Sequence, residues 1–169
     1  IRDEMPANAR VLITYGGGSI KKNGVMEQVH AALEGVTYFE FGGIEPNPHF
    51  ETLMKAVDVI KQENINFILA VGGGSVIDGS KFIAAAALYP NDPWEIIQTY
   101  GAKVTQAVPL GCVLTLAATG SEMNNGAVIT KAATQDKLFF FSEHVYPKFS
   151  VLDPTRSEEH TSELQSHSG

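Results

Sequence analysis

Two stretches of this 169-residue chain have the composition of a phosphate cradle: LITYGGGSIKKNG at residues 12–24 and AVGGGSVIDGSK at residues 70–81. In each, an apolar run of strand type passes into three glycines and a serine. Glycine lets backbone N–H groups approach a ligand with no Cβ in the way, and the N-terminus of a following helix adds unpaired donors and partial positive charge. A pyrophosphate suits such a junction. Ser75 as N-cap with Asp78 three residues later also satisfies the capping-box pattern, which starts a helix without any ligand. That plainer reading explains Ser75 and Asp78 but gives no reason for Gly72, Gly73 and Gly74. Neither stretch is a G-x-G-x-x-G fingerprint, because Ile77 and Lys21 stand at the third glycine position, and no G-x-x-x-x-G-K-[ST] occurs. A common dinucleotide fingerprint and a P-loop are both disfavoured.

The first junction adds a charge argument. Lys21 and Lys22 are expected in the opening turn of its helix, where the macrodipole disfavours cations and an anion would compensate them. Dinucleotide sites that prefer the unphosphorylated ribose place a carboxylate after such a strand, whereas this chain has Gly16, Gly17, Gly18 and Ser19. The missing carboxylate and the two lysines point to the 2′-phosphate of NADP. The alternative is that the lysines are solvated surface residues.

These residues need a scaffold, and its elements can be read from periodicity. RVLITY (10–15), VTYFEF (36–41), FILAV (67–71), VPLGCVLTL (108–116) and FSVLDP (149–154) have strand character, FILAV as a run buried on both faces. Helices are expected from Val25, Met26, Val29 and Leu33, from Phe50, Leu53, Met54, Val57 and Ile60, and over Val76 to Leu88, which is apolar nearly all round. GGIEPNP and YPNDPWEI read as loops, AATGSEMNNG as a polar turn, and AVITK with KLFFF as a hairpin laid over the site. Strands alternating with helices predict the α/β class, a Rossmann-like, mostly parallel sheet with helices on both faces.

Composition bounds the function. With 44% hydrophobic and 18% charged residues the chain can build a core, and no apolar run approaches the roughly 20 residues of a membrane span. The formal charge of −7 argues against nucleic acid and anionic membranes as partners. Cys112, the single cysteine, excludes a disulfide framework and reads as a buried, inert thiol. The expectation is a soluble, cytoplasmic protein. The chain opens on Ile1, and its end, RSEEHTSELQSHS at 156–168, has neither hydrophobic period and resembles the in-frame translation of a sequencing adapter. Residues 1–155 are therefore read as one dinucleotide-binding domain truncated at both ends, and 156–169 as a non-native tail. Leaving out that tail removes one Arg and three Glu and takes the formal charge to −5. It also sets aside His160 and His167.

With GGGSVIDGSK at 72–81, TLAATGSE at 115–122, GGIEPNP and FSVLDP together, the chain resembles the iron-containing (group III) alcohol dehydrogenases over residues 7 to 155. The similarity is closest to their NADPH-dependent aldehyde reductase and butanol dehydrogenase branch. It implies the N-terminal domain of a dehydroquinate-synthase-like fold, with an all-helical, metal-binding second domain missing. It further implies NADP(H) as cofactor, with Gly72, Gly73, Gly74 and Ser75 cradling the pyrophosphate and Asp78 near the nicotinamide. Thr115, Thr119, Asn124 and Lys137 would complete the cleft. Gly17 and Ser19 would meet the adenosine end, Lys21 a phosphate, with Asn47 close by. The substrate class implied is an alcohol or aldehyde, and the full-length parent would be a homodimer holding a divalent metal (Fe or Zn) through one Asp and three His of the helical domain. His30, His49 and His144 match no part of that ligand set and read as surface or loop residues. The fragment is expected to be inactive alone.

Other readings remain open at this stage: a polyol dehydrogenase-like or dehydroquinate-synthase-like relative, or a nucleotide-binding module without catalysis. A hydrolase is the weakest, since no G-x-S-x-G occurs and Ser121 has no histidine nearby in sequence.

Overall fold

The computed structural model describes residues 5–17, 24–115 and 125–152. Among these, strands β1 (Arg10–Thr14), β2 (Thr37–Phe41), β3 (Phe67–Gly72), β4 (Leu110–Leu114) and β7 (Ser150–Leu152) form one parallel sheet in the order β2-β1-β3-β4-β7. Alternation along the strands sorts their side chains to two faces. Leu12, Ile68, Ala70, Leu110, Cys112 and Leu114 enter one apolar cluster. Val11, Ile13, Phe67, Leu69, Val71 and Val113 enter the other.

Helices cover both faces, as the α/β pattern requires. Helix α1 (Val25–Ala32) packs Val25, Met26 and Val29 into the second cluster. Helices α2 (Phe50–Glu63) and α3 (Gly74–Ala87) lie on the opposite face, α2 through Leu53, Ala56, Val57 and Ile60. The sheet grows outward from β1 to β2, then returns past β1 to β3, so the direction of winding reverses between β1 and β3. In open α/β sheets ligands bind at that switch point, beyond the carboxyl ends of the strands.

Strands β5 (Gly126–Lys131) and β6 (Asp136–Phe141) form the expected hairpin, a separate antiparallel sheet with Ala127 opposite Phe140 and Thr130 opposite Lys137. It packs on α3, whose all-round apolarity is thereby explained: one side meets the central sheet and another meets the hairpin. The segment expected as a loop at YPNDPWEI differs, because Trp94–Gln98 form a short helix, α4, entered through Pro93 and Asp92, whose carboxylate accepts from the Trp94 N–H at 3.0 Å. Trp94 stands edge-on to Phe50 at 5.0 Å between ring centroids, with the Lys131 ammonium 4.7 Å from its ring centre. No described helix is long and apolar enough to cross a membrane.

Candidate functional site

Both glycine junctions leave the carboxyl ends of adjacent strands, since β1 and β3 pair with Thr14 opposite Ala70. At the second junction Gly72 takes φ +154°, and a Cβ there would lie 2.8 Å from Val76 Cγ2. A Cβ on Gly16 would reach the Ile44 carbonyl at 3.0 Å and the same valine at 3.5 Å. Close packing around Val76 therefore accounts for one glycine in each run. Gly17 is different: it is exposed, lacks a positive φ, and a Cβ there would meet nothing within 4 Å.

Helix α3 begins at Gly74 with Gly73 as its N-cap, and no side chain caps it. Ser75 is thus not the N-cap expected from the capping box. Gly73 has an extended conformation, φ −98° and ψ −162°, so the helix starts ahead of the serine. The Ser75 hydroxyl instead donates to the Pro46 carbonyl. With the serine directed to that loop, the first-turn N–H groups have no competing side-chain acceptor, and no acidic residue occupies the first turn. Such a terminus favours an anion.

The loop at 42–49 ties both junctions together. Gly43 N–H donates to Gly16 O at 2.9 Å, and Ile44 N–H to Tyr15 O at 3.2 Å. Beyond it, Glu45 accepts from the Thr52 hydroxyl at 2.6 Å and pairs with His49 Nδ1 at 3.1 Å. Partial burial raises the Glu45 pKa, but the Thr52 hydroxyl, backbone N–H groups and His49 outweigh it and hold the carboxyl below its ordinary range. At the strand ends, the Ser80 hydroxyl donates to Val76 O at 2.7 Å, which leaves Thr14 as donor in its own 2.7 Å bond to Ser80. Thr115 N–H donates to Gly72 O at 3.2 Å, closing β4 onto the same point.

Four of the sequence-designated residues meet in one pocket of about 160 Å³: Asn47, Ser75, Asp78 and Lys137, with Val128 and Thr130 as part of the hairpin wall. A second pocket of about 250 Å³ adjoins it through Asp78 and Val128 and is walled by Phe139 and Phe141. Asp78 Oδ2 accepts from the Val128 N–H at 3.2 Å, so this carboxylate stands between a polar and an aromatic compartment. A further cavity of about 550 Å³ lies at the opposite end of the sheet beside Arg10 and Thr37 and gathers no cluster of titratable groups.

Thr115 lies at the end of β4, and Gly17 at the end of β1, on the same carboxyl edge. Ser19, Lys21, Thr119 and Asn124 fall outside the described residues. Helix α1 starts at Val25 with Gly24 as its N-cap at φ +82°, and Lys21 and Lys22, expected in the opening turn of a helix after the first junction, lie outside the described residues. The glycine admits the left-handed turn into α1.

The three described histidines have local roles. His30 pairs with Glu40 at 2.6 Å and stacks on Tyr38, His49 joins Glu45, and His144 lies 3.9 Å from Glu143. Among the described residues no three His, Cys, Asp or Glu side chains converge as metal ligands.

Sequence reasoning missed two charged residues that hold the hairpin. Lys81 is fully buried and donates from Nζ to Gly126 O at 3.0 Å. Glu51 accepts from the Ala132 and Ala133 N–H groups at 3.0 and 3.3 Å. An ammonium within the apolar run KFIAAAA was the available signal for Lys81. For Glu51 there was none.

Comparison with known proteins places this geometry in a family. The family described as iron-containing alcohol dehydrogenase matches residues 1–154. The NADPH-dependent aldehyde reductase YqhD of Escherichia coli is 61% identical over 156 residues, 91% of this chain and 40% of that protein. A probable NADH-dependent butanol dehydrogenase of Bacillus subtilis is 51% identical over 154 residues, covering 90% of this chain and 40% of that protein. A crystal structure of E. coli YqhD superposes with a TM-score of 0.88, covering 90% of this chain and 40% of its own. NADH-dependent butanol dehydrogenase A of Thermotoga maritima superposes with a TM-score of 0.82 at 45% identity, over 86% and 37% of the two chains. The chain thus spans about 40% of the length of the curated relatives it matches.

Proposed function

Because the chain belongs to the iron-containing alcohol dehydrogenase family, we propose that it is the cofactor-binding part of a metal-dependent NADP(H) oxidoreductase that interconverts alcohols with aldehydes or ketones. One observation carries the reading: α3 opens without a side-chain cap at the β1/β3 switch point, directly beside the pocket that gathers Asn47, Ser75, Asp78 and Lys137. The residues present fit a dinucleotide. The N-terminus of α3, at Gly73 and Gly74, offers donors to a pyrophosphate, and Gly17 leaves backbone open to a ligand. Gly72 carries the close approach of the strand end to α3. Lys137 supplies a cation, and Asn47, Ser75, Thr115 and Asp78 supply polar contacts along the cleft.

When bound, a reduced nicotinamide supplies hydride to a carbonyl carbon. The protein's part is to orient the ring and hold the reacting face clear of bulk water. In this reading Asp78, anchored to the hairpin, fixes the nicotinamide end. Ser19, Lys21, Thr119 and Asn124 complete the contacts, with Lys21 at the 2′-phosphate. No ligand set for a metal is assigned to the described residues. The Fe or Zn of the parent is held by residues beyond this chain, in a homodimer, and this chain alone is inactive. The buried thiol of Cys112, in a chain with no second cysteine, fits a cytoplasmic setting.

Fluorescence titration of the chain with NADPH and with NADH tests the proposal. Enhanced NADPH emission that is weakened in Asp78→Asn supports it. Equal affinity for both nucleotides would remove the 2′-phosphate part, and binding of neither would overturn the cofactor reading.

A further inference from the structure

The hairpin β5–β6 forms one wall of the proposed cofactor cleft, yet it is not a strand pair of the central sheet. A two-stranded ribbon is marginal by itself, and each outer edge exposes unpaired backbone groups. Successive residues of a strand direct those groups to opposite sides. Gly126, Val128 and Thr130, each two apart, therefore turn theirs to the edge away from β6.

That edge is met point by point. Gly126 O accepts from Lys81 Nζ at 3.0 Å, Val128 N–H donates to Asp78 at 3.2 Å, and Thr130 N–H donates to Pro48 O at 2.9 Å. At the tip, beyond the end of β5, Glu51 takes the two N–H groups of Ala132 and Ala133. Asp78 and Lys81 are three residues apart on α3, so one helix face reaches the strand at two points. Desolvating an ammonium costs several kcal/mol unless its hydrogen bonds are met, which makes Lys81 a costly residue for mere filling. Its side chain is fully buried and lines neither pocket beside Asp78.

We propose that Lys81 and Glu51 are positioning residues that clamp the hairpin at its base and its tip, and so set cofactor affinity without touching cofactor. The cofactor half of this statement rests on the function proposed above. The clamp itself rests on the hydrogen bonds. Loosening either end lets Val128, Thr130 and Lys137 move away from Ser75 and Asp78, and the cleft loses one wall.

Hydrogen–deuterium exchange and NADPH titration of the whole chain, in wild type, K81M, K81R and E51A, test the clamp. Removal of a charged hydrogen bond is expected to weaken NADPH binding about 10-fold in K81M and about 3-fold in E51A, whose site is exposed. The Val128 and Thr130 amides should exchange faster in both, while Ile68 and Cys112 of the central sheet keep their protection. K81R keeps a cationic donor and should recover part of the affinity. Unchanged hairpin exchange in K81M and E51A overturns the clamp. So does protection lost equally throughout the central sheet, which would make Lys81 an ordinary determinant of folding. Should K81M not fold, E51A decides alone on the same readouts. A wild-type chain that binds neither NADPH nor NADH sinks the cofactor reading, while hairpin exchange in the variants still decides whether the clamp exists.

Discussion

The segments Gly16–Ser19 and Gly72–Ser75 have the same four residue types, yet the chain continues from them differently. After the second, α3 starts at Gly74 and runs for 14 residues. After the first, the described helix is α1, which begins at Val25 behind a left-handed Gly24. The residues downstream of the second run explain its helix, because VIDGSKFIAAAA presents apolar side chains to both sheet and hairpin, whereas the first run is followed in sequence by the charged IKKNG, of which residues 20–23 lie outside the described residues. Equal glycine runs thus serve unequal ends, and variants at matched positions separate packing from ligand approach.

The largest effect is expected at the second junction. Gly72→Val combines a backbone at φ +154° with a collision against Val76, and should lower unfolding free energy by about 3 kcal/mol or more in a denaturant titration. Full stability in that variant would put the two junctions on one footing. Ser75→Ala removes the bond to the Pro46 carbonyl and should cost about 1 kcal/mol by the same measurement. A cost near zero would mean that the loop at 42–49 is held by Glu45 and the Gly43 and Ile44 N–H groups alone. Gly17→Ala should leave stability within about 0.5 kcal/mol, since its Cβ enters open space. If its NADPH affinity falls nonetheless, the loss measures ligand approach at the first junction without a folding component.

The smallest effect is a pH dependence. Partial burial raises the Glu51 pKa, but the N–H groups of Ala132, of Glu51 itself and of Ala133, together with His49, outweigh it and hold the carboxyl below its ordinary value of 4.5. A carboxyl depressed in the folded state contributes its full stabilisation above the unfolded value and loses it as pH falls through the folded one. Protection factors at the hairpin tip, exchange rates corrected for the intrinsic pH dependence of amide exchange, should therefore fall on acidification below about pH 4.5 in wild type and not in Glu51→Gln. Identical profiles would assign the acid sensitivity to Glu45 or another carboxyl.

Much of the scaffold was legible because it rests on local periodicity. The buried run FILAV, the helical spacing of Phe50 to Ile60, and the two-residue alternation that separates Leu12 from Ile13 all appear in sequence order. What escaped depends on pairing between distant segments. Strand order 2-1-3-4-7 comes from long-range register, and α4 is too short to show a period. The capping box at Ser75 misled because the acceptor that claims its hydroxyl, Pro46 O, lies 29 residues away. Lysine ordinarily reads as exposed, so the apolar run around Lys81 is a weak signal of its burial, and its acceptor, Gly126 O, lies too far along the chain to be read from sequence. Of the site, the pocket residues Asn47, Ser75, Asp78 and Lys137 were named from a family resemblance. The hydrogen bonds that draw them together were not.

Trp94 is the sole tryptophan of the chain, and it sits where β5 ends. The Lys131 ammonium stands 4.7 Å from its ring centre and Phe50 presses on it edge-on. A cation near an indole ring perturbs its electronic states and is lost when the strand lifts away. The protein thus carries an internal optical gauge: intrinsic emission from one indole reports the seating of β5 in real time, with no label, and Lys131→Met supplies its zero.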